Sequence, residues 1–209
     1  MKKLFLSSSF KDVAMLLPDF VTSGLTGKTV TFIPTAALHE KMNFYVKSGR
    51  KALEKMGLKV DVLEISTAEQ PEILSKLRNN DFIYVSGGNT FFLLQELQKA
   101  GADKIIIEQI DSGKLYIGES AGSMILSPNI EYVKDMDDYK AATDLNSFDA
   151  LSVLDFYPLP HQNCFPFQKT VEKIISKYSN TLQLKPITNS QAIRIDGSKI
   201  NIIQGNNRK

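Results

Sequence analysis

Short runs of apolar residues alternate along the chain with longer segments whose apolar positions recur every three or four residues. The runs K-K-L-F-L-S, T-V-T-F-I-P, K-V-D-V-L-E-I, D-F-I-Y-V-S and K-L-Y-I-G, at 2–7, 29–34, 59–65, 81–86 and 114–118, read as strands. They are nearly continuous in apolar residues, as strands covered on both faces should be. Helical periodicity occupies about 12–23, 40–56, 71–79 and 90–112. Pro71 followed by Glu72 suits a first helical turn, and Gly57 suits a C-terminal cap. Gly101 divides the last of these segments into two helices. Strand and helix in this rhythm predict parallel strands joined by right-handed crossovers, hence an α/β fold with a three-layer, doubly wound, mostly parallel sheet. Beyond Pro128 the pattern changes to a polar, acidic stretch at 131–149, a strand at 154–159 and a helix near 167–179. Three β segments follow, at 182–187, 192–196 and 200–204, the last two joined by D-G-S-K as a hairpin. With no repeat, low-complexity tract or linker, a single domain over 1–209 is expected.

Composition narrows the function. The net charge of +2, from 25 basic and 23 acidic residues, gives no excess that would draw the chain to nucleic acid or a membrane surface. In the opening M-K-K-L-F-L-S-S-S-F the apolar run is too short for a signal peptide, so a cytoplasmic location is expected. One cysteine and two histidines exclude an intrachain disulfide and a multi-thiolate zinc cluster, and no metal or cofactor is expected.

The chemistry gathers at strand ends, where parallel α/β sheets bind ligands. G-E-S-A-G, 118–122, meets the pattern G-x-S-x-G between a strand and a helix. Such a turn needs tiny residues two before and two after the serine, here Gly118 and Gly122, and it holds Ser120 up as a nucleophile. S-G-G-N-T-F, 86–91, ends another strand and opens a helix. Gly88 is placed to give an oxyanion hole its second N–H, with Asn89 and Thr90 either beside the substrate or capping the helix. This is neither a P-loop nor a dinucleotide fingerprint. A serine needs a base, and His161, in Y-P-L-P-H-Q-N after a strand, is favoured over His39. An acid should hold the imidazole, and Asp135, Asp137, Asp138 and Asp144 all lie in one polar stretch, with position alone unable to choose among them.

Y-V-S-G-G-N-T-F, L-Y-I-G-E-S-A-G, K-D-M and P-H-Q-N occur in the order and at about the spacings of the peptidase E family of serine peptidases. This family of aspartyl dipeptidases is related to the cyanophycinases and built on a class I glutamine-amidotransferase-like sheet. The resemblance covers most of the chain. It implies Ser120 as nucleophile, His161 as general base, Asp135 as its acid, and the N–H groups of Gly88 and Ala121 as the oxyanion hole. It also implies a small peptide substrate cleaved through an acyl-enzyme. Three departures bear on the substrate. Glu119 puts a carboxylate beside the nucleophile, where it is expected to line the substrate site. Close after His161, where the family's aspartyl dipeptidase carries an arginine-bearing segment, the nearby cations are only Lys169 and Lys173, and T-N-S-Q-A has no acid where that enzyme has a glutamate. These departures favour a serine peptidase that need not prefer N-terminal aspartate. An α/β-hydrolase esterase and a non-catalytic binding module are the rival readings. Cys164 reads as a small apolar residue rather than a nucleophile.

Overall fold

The computed structural model describes residues 1–40 and 43–205. Its centre is a seven-stranded sheet in the order β3-β2-β4-β5-β1-β8-β9. The strands are β1 (Lys3–Ser7), β2 (Thr29–Ile33), β3 (Lys59–Val62), β4 (Phe82–Val85), β5 (Leu115–Glu119), β8 (Gln191–Asp196) and β9 (Lys199–Gln204). The first five pair in parallel, β8 adds antiparallel to β1, and β9 pairs antiparallel with β8. The remaining two, β6 (Tyr157–Leu159) and β7 (Leu184–Pro186), form a separate parallel pair, so the segment expected at 182–187 does not join the main sheet. The hairpin at D-G-S-K is present, with Gly197 at φ 59° in its loop.

The apolar runs of the central strands serve both faces because strand side chains alternate. Leu4, Leu6, Ile83, Val85 and Tyr116 join one buried layer, and Phe5, Phe82, Tyr84, Leu115 and Ile117 the other. Helices α1 (Phe10–Val13) and α2 (Phe44–Lys55) cover the second layer. Helices α3 (Gln70–Asn79), α4 (Thr90–Lys99), α5 (Ala102–Asp111), α6 (Ala121–Met124) and α7 (Gln168–Tyr178) cover the first. This is the α/β arrangement that the periodicity predicts, with helices on both sides of a mostly parallel sheet.

Two helical segments differ from expectation. The stretch at 12–23 is a single turn, α1, followed by 3₁₀ turns at Ala14–Leu16 and Pro18–Phe20. Pro18 has no N–H to continue the ladder, so the periodicity there never becomes a full helix. The segment at 40–56 forms α2 from Phe44 on, and positions 41 and 42 lie outside the described residues. No helix among the described residues is long and apolar enough to cross a membrane.

Candidate active site

Strand β5 ends at Glu119 and α6 begins at Ala121, which leaves Ser120 alone on the turn at φ 47° and ψ −106°. A non-glycine residue rarely holds that backbone, and such strain persists only where the surroundings impose it. A Cβ on Gly118 would strike the backbone of Gly122, and one on Gly122 would strike the carbonyl of Val85. Both glycines are therefore required by the closeness of strand and helix. The end of β1 fixes the turn from the other side: Ser120 N–H donates to Ser7 O at 2.8 Å, and Ser7 Oγ donates to Gly118 O at 3.1 Å. Ser123 Oγ lies 3.0 Å from both Ser7 O and Gly118 O.

His161 follows β6 and Pro160, at φ 65°. Its N–H donates to Ser8 Oγ at 3.0 Å, and Ser8 Oγ donates in turn to Ile187 O at 3.1 Å. Its ring stacks on Phe167 with centroids 4.8 Å apart. In this position Nε2 is 3.0 Å from Ser120 Oγ. The far nitrogen, Nδ1, is 2.9 Å from Asn189 Oδ1. An amide oxygen accepts and cannot donate, so Asn189 selects the Nδ1–H tautomer and leaves the Nε2 lone pair facing the serine hydroxyl. Burial holds the His161 pKa below its usual value, against the opposing effect of the Asn189 bond. The ring is thus neutral, and able to accept a proton, at neutral pH.

Gly88 has φ 136°, and a Cβ there would run into the backbone of Ala36 and Ala37. Asn89 N–H donates to Ala36 O at 2.8 Å and so holds the glycine turn against the segment after β2. Among the described residues no backbone acceptor takes the N–H of Gly88 or Ala121. A Cβ on the adjoining Gly87 would meet Ser120 Cβ and the ring of Tyr45, so this turn lies directly beside the turn at Ser120.

Residues 4–203 match peptidase family S51. The chain belongs to that family. An uncharacterized peptidase of Listeria monocytogenes is 56% identical over 200 residues, covering 96% of this chain and 97% of that one. An uncharacterized peptidase of Pasteurella multocida is 51% identical over 208 residues and covers 100% of both chains. Peptidase E of the same Pasteurella strain is 35% identical over 146 residues, or 69% of this chain and 58% of its own length. A crystal structure of a candidate peptidase E from Listeria monocytogenes EGD-e superposes with a TM-score of 0.94 at 54% identity, over 98% of each chain. The S51 fold and a peptidase identity follow from these matches.

Several of the residues expected at the site stand apart from their expected places. Asp135, expected beside His161, accepts instead from Lys173 Nζ at 2.7 Å near the surface, and that bond lowers its pKa. The other acids of the polar stretch are also engaged elsewhere. Asp137 accepts from Thr90 N–H at 2.9 Å and Thr90 Oγ1 at 2.6 Å, Asp138 from Lys140 N–H, and Asp144 pairs with Lys99. Glu119, expected to line the substrate site, is only 2% exposed, with its carboxylate bonded to Phe10 N–H and Tyr84 O–H. It cannot repel a substrate carboxylate at contact range. Asn89 and Thr90 are likewise committed inward. Asn89 Oδ1 caps α4 by accepting from Phe92 N–H, its Nδ2 donates to Asp138 O, and Thr90 is held by Asp137. His39 is exposed and packs edge-on against Phe92, apart from the His161–Ser120 pair.

The residue that a reading for acids passes over is Asn189. It sits in the turn between β7 and β8, and its own N–H donates to Cys164 Sγ at 3.4 Å. The signal lay in T-N-S-Q-A, the place where the peptidase E resemblance called for an acid, but an amide is invisible to a search for carboxylates.

Proposed function

We propose that this S51 member is a serine-type peptidase that hydrolyses small, dipeptide-like substrates through an acyl-enzyme on Ser120. One observation carries the reading: Ser120 Oγ, on a strained strand-to-helix turn, lies 3.0 Å from an imidazole nitrogen whose other nitrogen is held by Asn189. Nucleophile, base and orienting group then stand in the relation that activates a hydroxyl.

In the proposed reaction Ser120 Oγ attacks the peptide carbonyl carbon as its proton passes to His161 Nε2. The carbonyl oxygen becomes an oxyanion and takes hydrogen bonds from the N–H groups of Gly88 and Ala121, which contribute as fixed donors. Since α6 is a single turn, the two N–H groups rather than a helix dipole supply this stabilisation. Collapse breaks the C–N bond, and His161 gives its proton to the leaving amine. Water then attacks the ester, its proton passing to His161, and the acid departs with Ser120 restored.

With Glu119 turned inward, the carboxylate that argued against acidic substrates is removed from the cleft, and N-terminal aspartyl dipeptides belong in the substrate panel beside neutral ones. The test pairs a fluorophosphonate probe with that panel. Labelling and turnover by the wild type that vanish together in Ser120→Ala and His161→Ala support the reading. Folded wild-type protein that neither labels nor cleaves any dipeptide would defeat it, and ester turnover without peptide turnover would move the assignment to an esterase.

A further inference from the structure

Glu119 is a buried carboxylate that the proposed chemistry does not use, directly before the nucleophile. Burying such a group costs several kcal/mol unless hydrogen bonds compensate, and apolar side chains often serve as well in such a place. Its surroundings are the aromatic layer of Phe10 and Tyr84. Neutral donors hold it rather than a cation: Phe10 N–H reaches Oε1 at 2.8 Å, and the Tyr84 hydroxyl reaches Oε2 at 2.7 Å. Burial raises its pKa, while Tyr84, Phe10 and the Gly87 N–H favour the ionised form and Asp12 opposes it. Burial and the adjacent Glu119 charge keep the Tyr84 hydroxyl protonated, and hence a donor.

The two hydrogen bonds come from two places, the start of α1 and strand β4, and β4 runs directly into the glycine turn. Helix α2 closes a third side. Gly49 is buried, and any side chain there would collide with the Tyr84 hydroxyl and approach Glu119 Oε2. Four residues earlier on the same helix face, Tyr45 lies against Gly87. Through Tyr84 the carboxylate therefore ties the residue before the nucleophile to the strand that leads into the turn carrying Gly88. Gly87 itself packs against Ser120 Cβ and the Tyr45 ring, so a brace on β4 also sets where the next peptide, which carries the Gly88 N–H, lies beside the serine.

We propose that Glu119 is a positioning residue for the reaction: its carboxylate clamps the serine elbow to the Gly87–Gly88 turn, so that the N–H groups of Gly88 and Ala121 converge on one oxyanion. This inference rests on the serine-peptidase reading. Glu119→Gln keeps the shape but replaces one acceptor by a donor, so the cage cannot keep all its bonds. Removing an oxyanion donor outright costs about 100- to 1000-fold, and a misaimed one should cost less, roughly tenfold in kcat with KM within about twofold.

The experiment measures melting temperature, fluorophosphonate labelling rate, kcat and KM on the intact chain. A roughly tenfold loss of kcat and of labelling rate in folded Glu119→Gln, with KM nearly constant, is expected. Wild-type kcat and labelling in a folded variant would overturn the proposal and reduce Glu119 to a packing role. If Glu119→Gln does not fold, Tyr84→Phe carries the test. It removes one of the donors and is expected to lower kcat about threefold at constant KM, and an unchanged kcat overturns the proposal. Wild-type protein that fails to label at Ser120 defeats the serine reading instead, so the two failures are told apart.

Discussion

Replacing Asn189 by aspartate tests the arrangement around His161 most sharply. The two side chains have the same shape, so the change puts a charge where a neutral oxygen now stands, 2.9 Å from Nδ1. Both groups accept from Nδ1–H, and the tautomer is kept. An opposite charge at contact raises a pKa by about 1–3 units, and each unit is worth about 1.4 kcal/mol of preference for the imidazolium. Burial, which holds His161 below its usual range in the wild type, opposes part of that gain. We expect the acid limb of kcat/KM to move up by about 1–2 units in Asn189→Asp. On the alkaline side of that limb kcat should rise by about 3- to 10-fold, because the transition state develops the charge that the new carboxylate stabilises. The pH profile of kcat/KM measures the first effect directly, and imidazole NMR measures the titration itself, with only two histidines in the chain to assign. Linkage gives a stability readout. His161 binds its proton less readily in the folded state, so the wild type loses stability as pH falls below about 6.5, the unfolded value. Asn189→Asp should reduce that loss. A folded variant whose acid limb and NMR titration both stay at wild-type values would refute the placement of Asn189 against the ring.

Three further outcomes follow from the same geometry. Asp135→Asn should leave kcat and KM unchanged and cost no more than about 1 kcal/mol in urea unfolding, since Asp135 belongs to an exposed pair with Lys173; a large loss of kcat would restore Asp135 to the site. Ser8→Ala removes the acceptor of the His161 N–H, and it should lower stability by about 1–3 kcal/mol and kcat more than KM, by calorimetry and steady-state kinetics. Burial, with Glu40 adding, raises the Asp137 pKa to about 6, so the protonated form is favoured on folding and its stabilisation is lost as pH rises from about 4 through 6. Asp137→Asn can still accept from Thr90 and should therefore match the wild type near pH 4 and exceed it by about 3 kcal/mol at pH 8, a pattern that melting temperatures across pH would expose.

Local chemistry made much of this protein legible in its sequence. The apolar runs of β1, β4 and β5 specify strands buried on both faces, because a half-exposed strand would alternate. Gly118 and Gly122 specify a strand and helix too close for side chains, and this identifies the turn at Ser120. Pro158 and Pro160 mark the rigid approach to His161. These features depend on neighbours a few residues away, and the sequence displays such neighbours.

What the tertiary structure decided were pairings between distant segments. The orienter of His161 comes from the turn after β7, 28 residues on, while the nearer acids turn to Thr90, Lys99, Lys140 and Lys173. Sequence distance cannot tell which side chain meets a ring nitrogen, because that depends on where β6 and β7 lie beside the main sheet. Glu119 shows the same limit at closest range. Adjacent to Ser120 in sequence, it faces the opposite layer, because successive strand residues point to opposite sides and Phe10 N–H and the Tyr84 hydroxyl offer it donors there. The order of residues determined the elbow and the strands around it; packing alone determined which polar groups meet at the serine and which are buried beneath it.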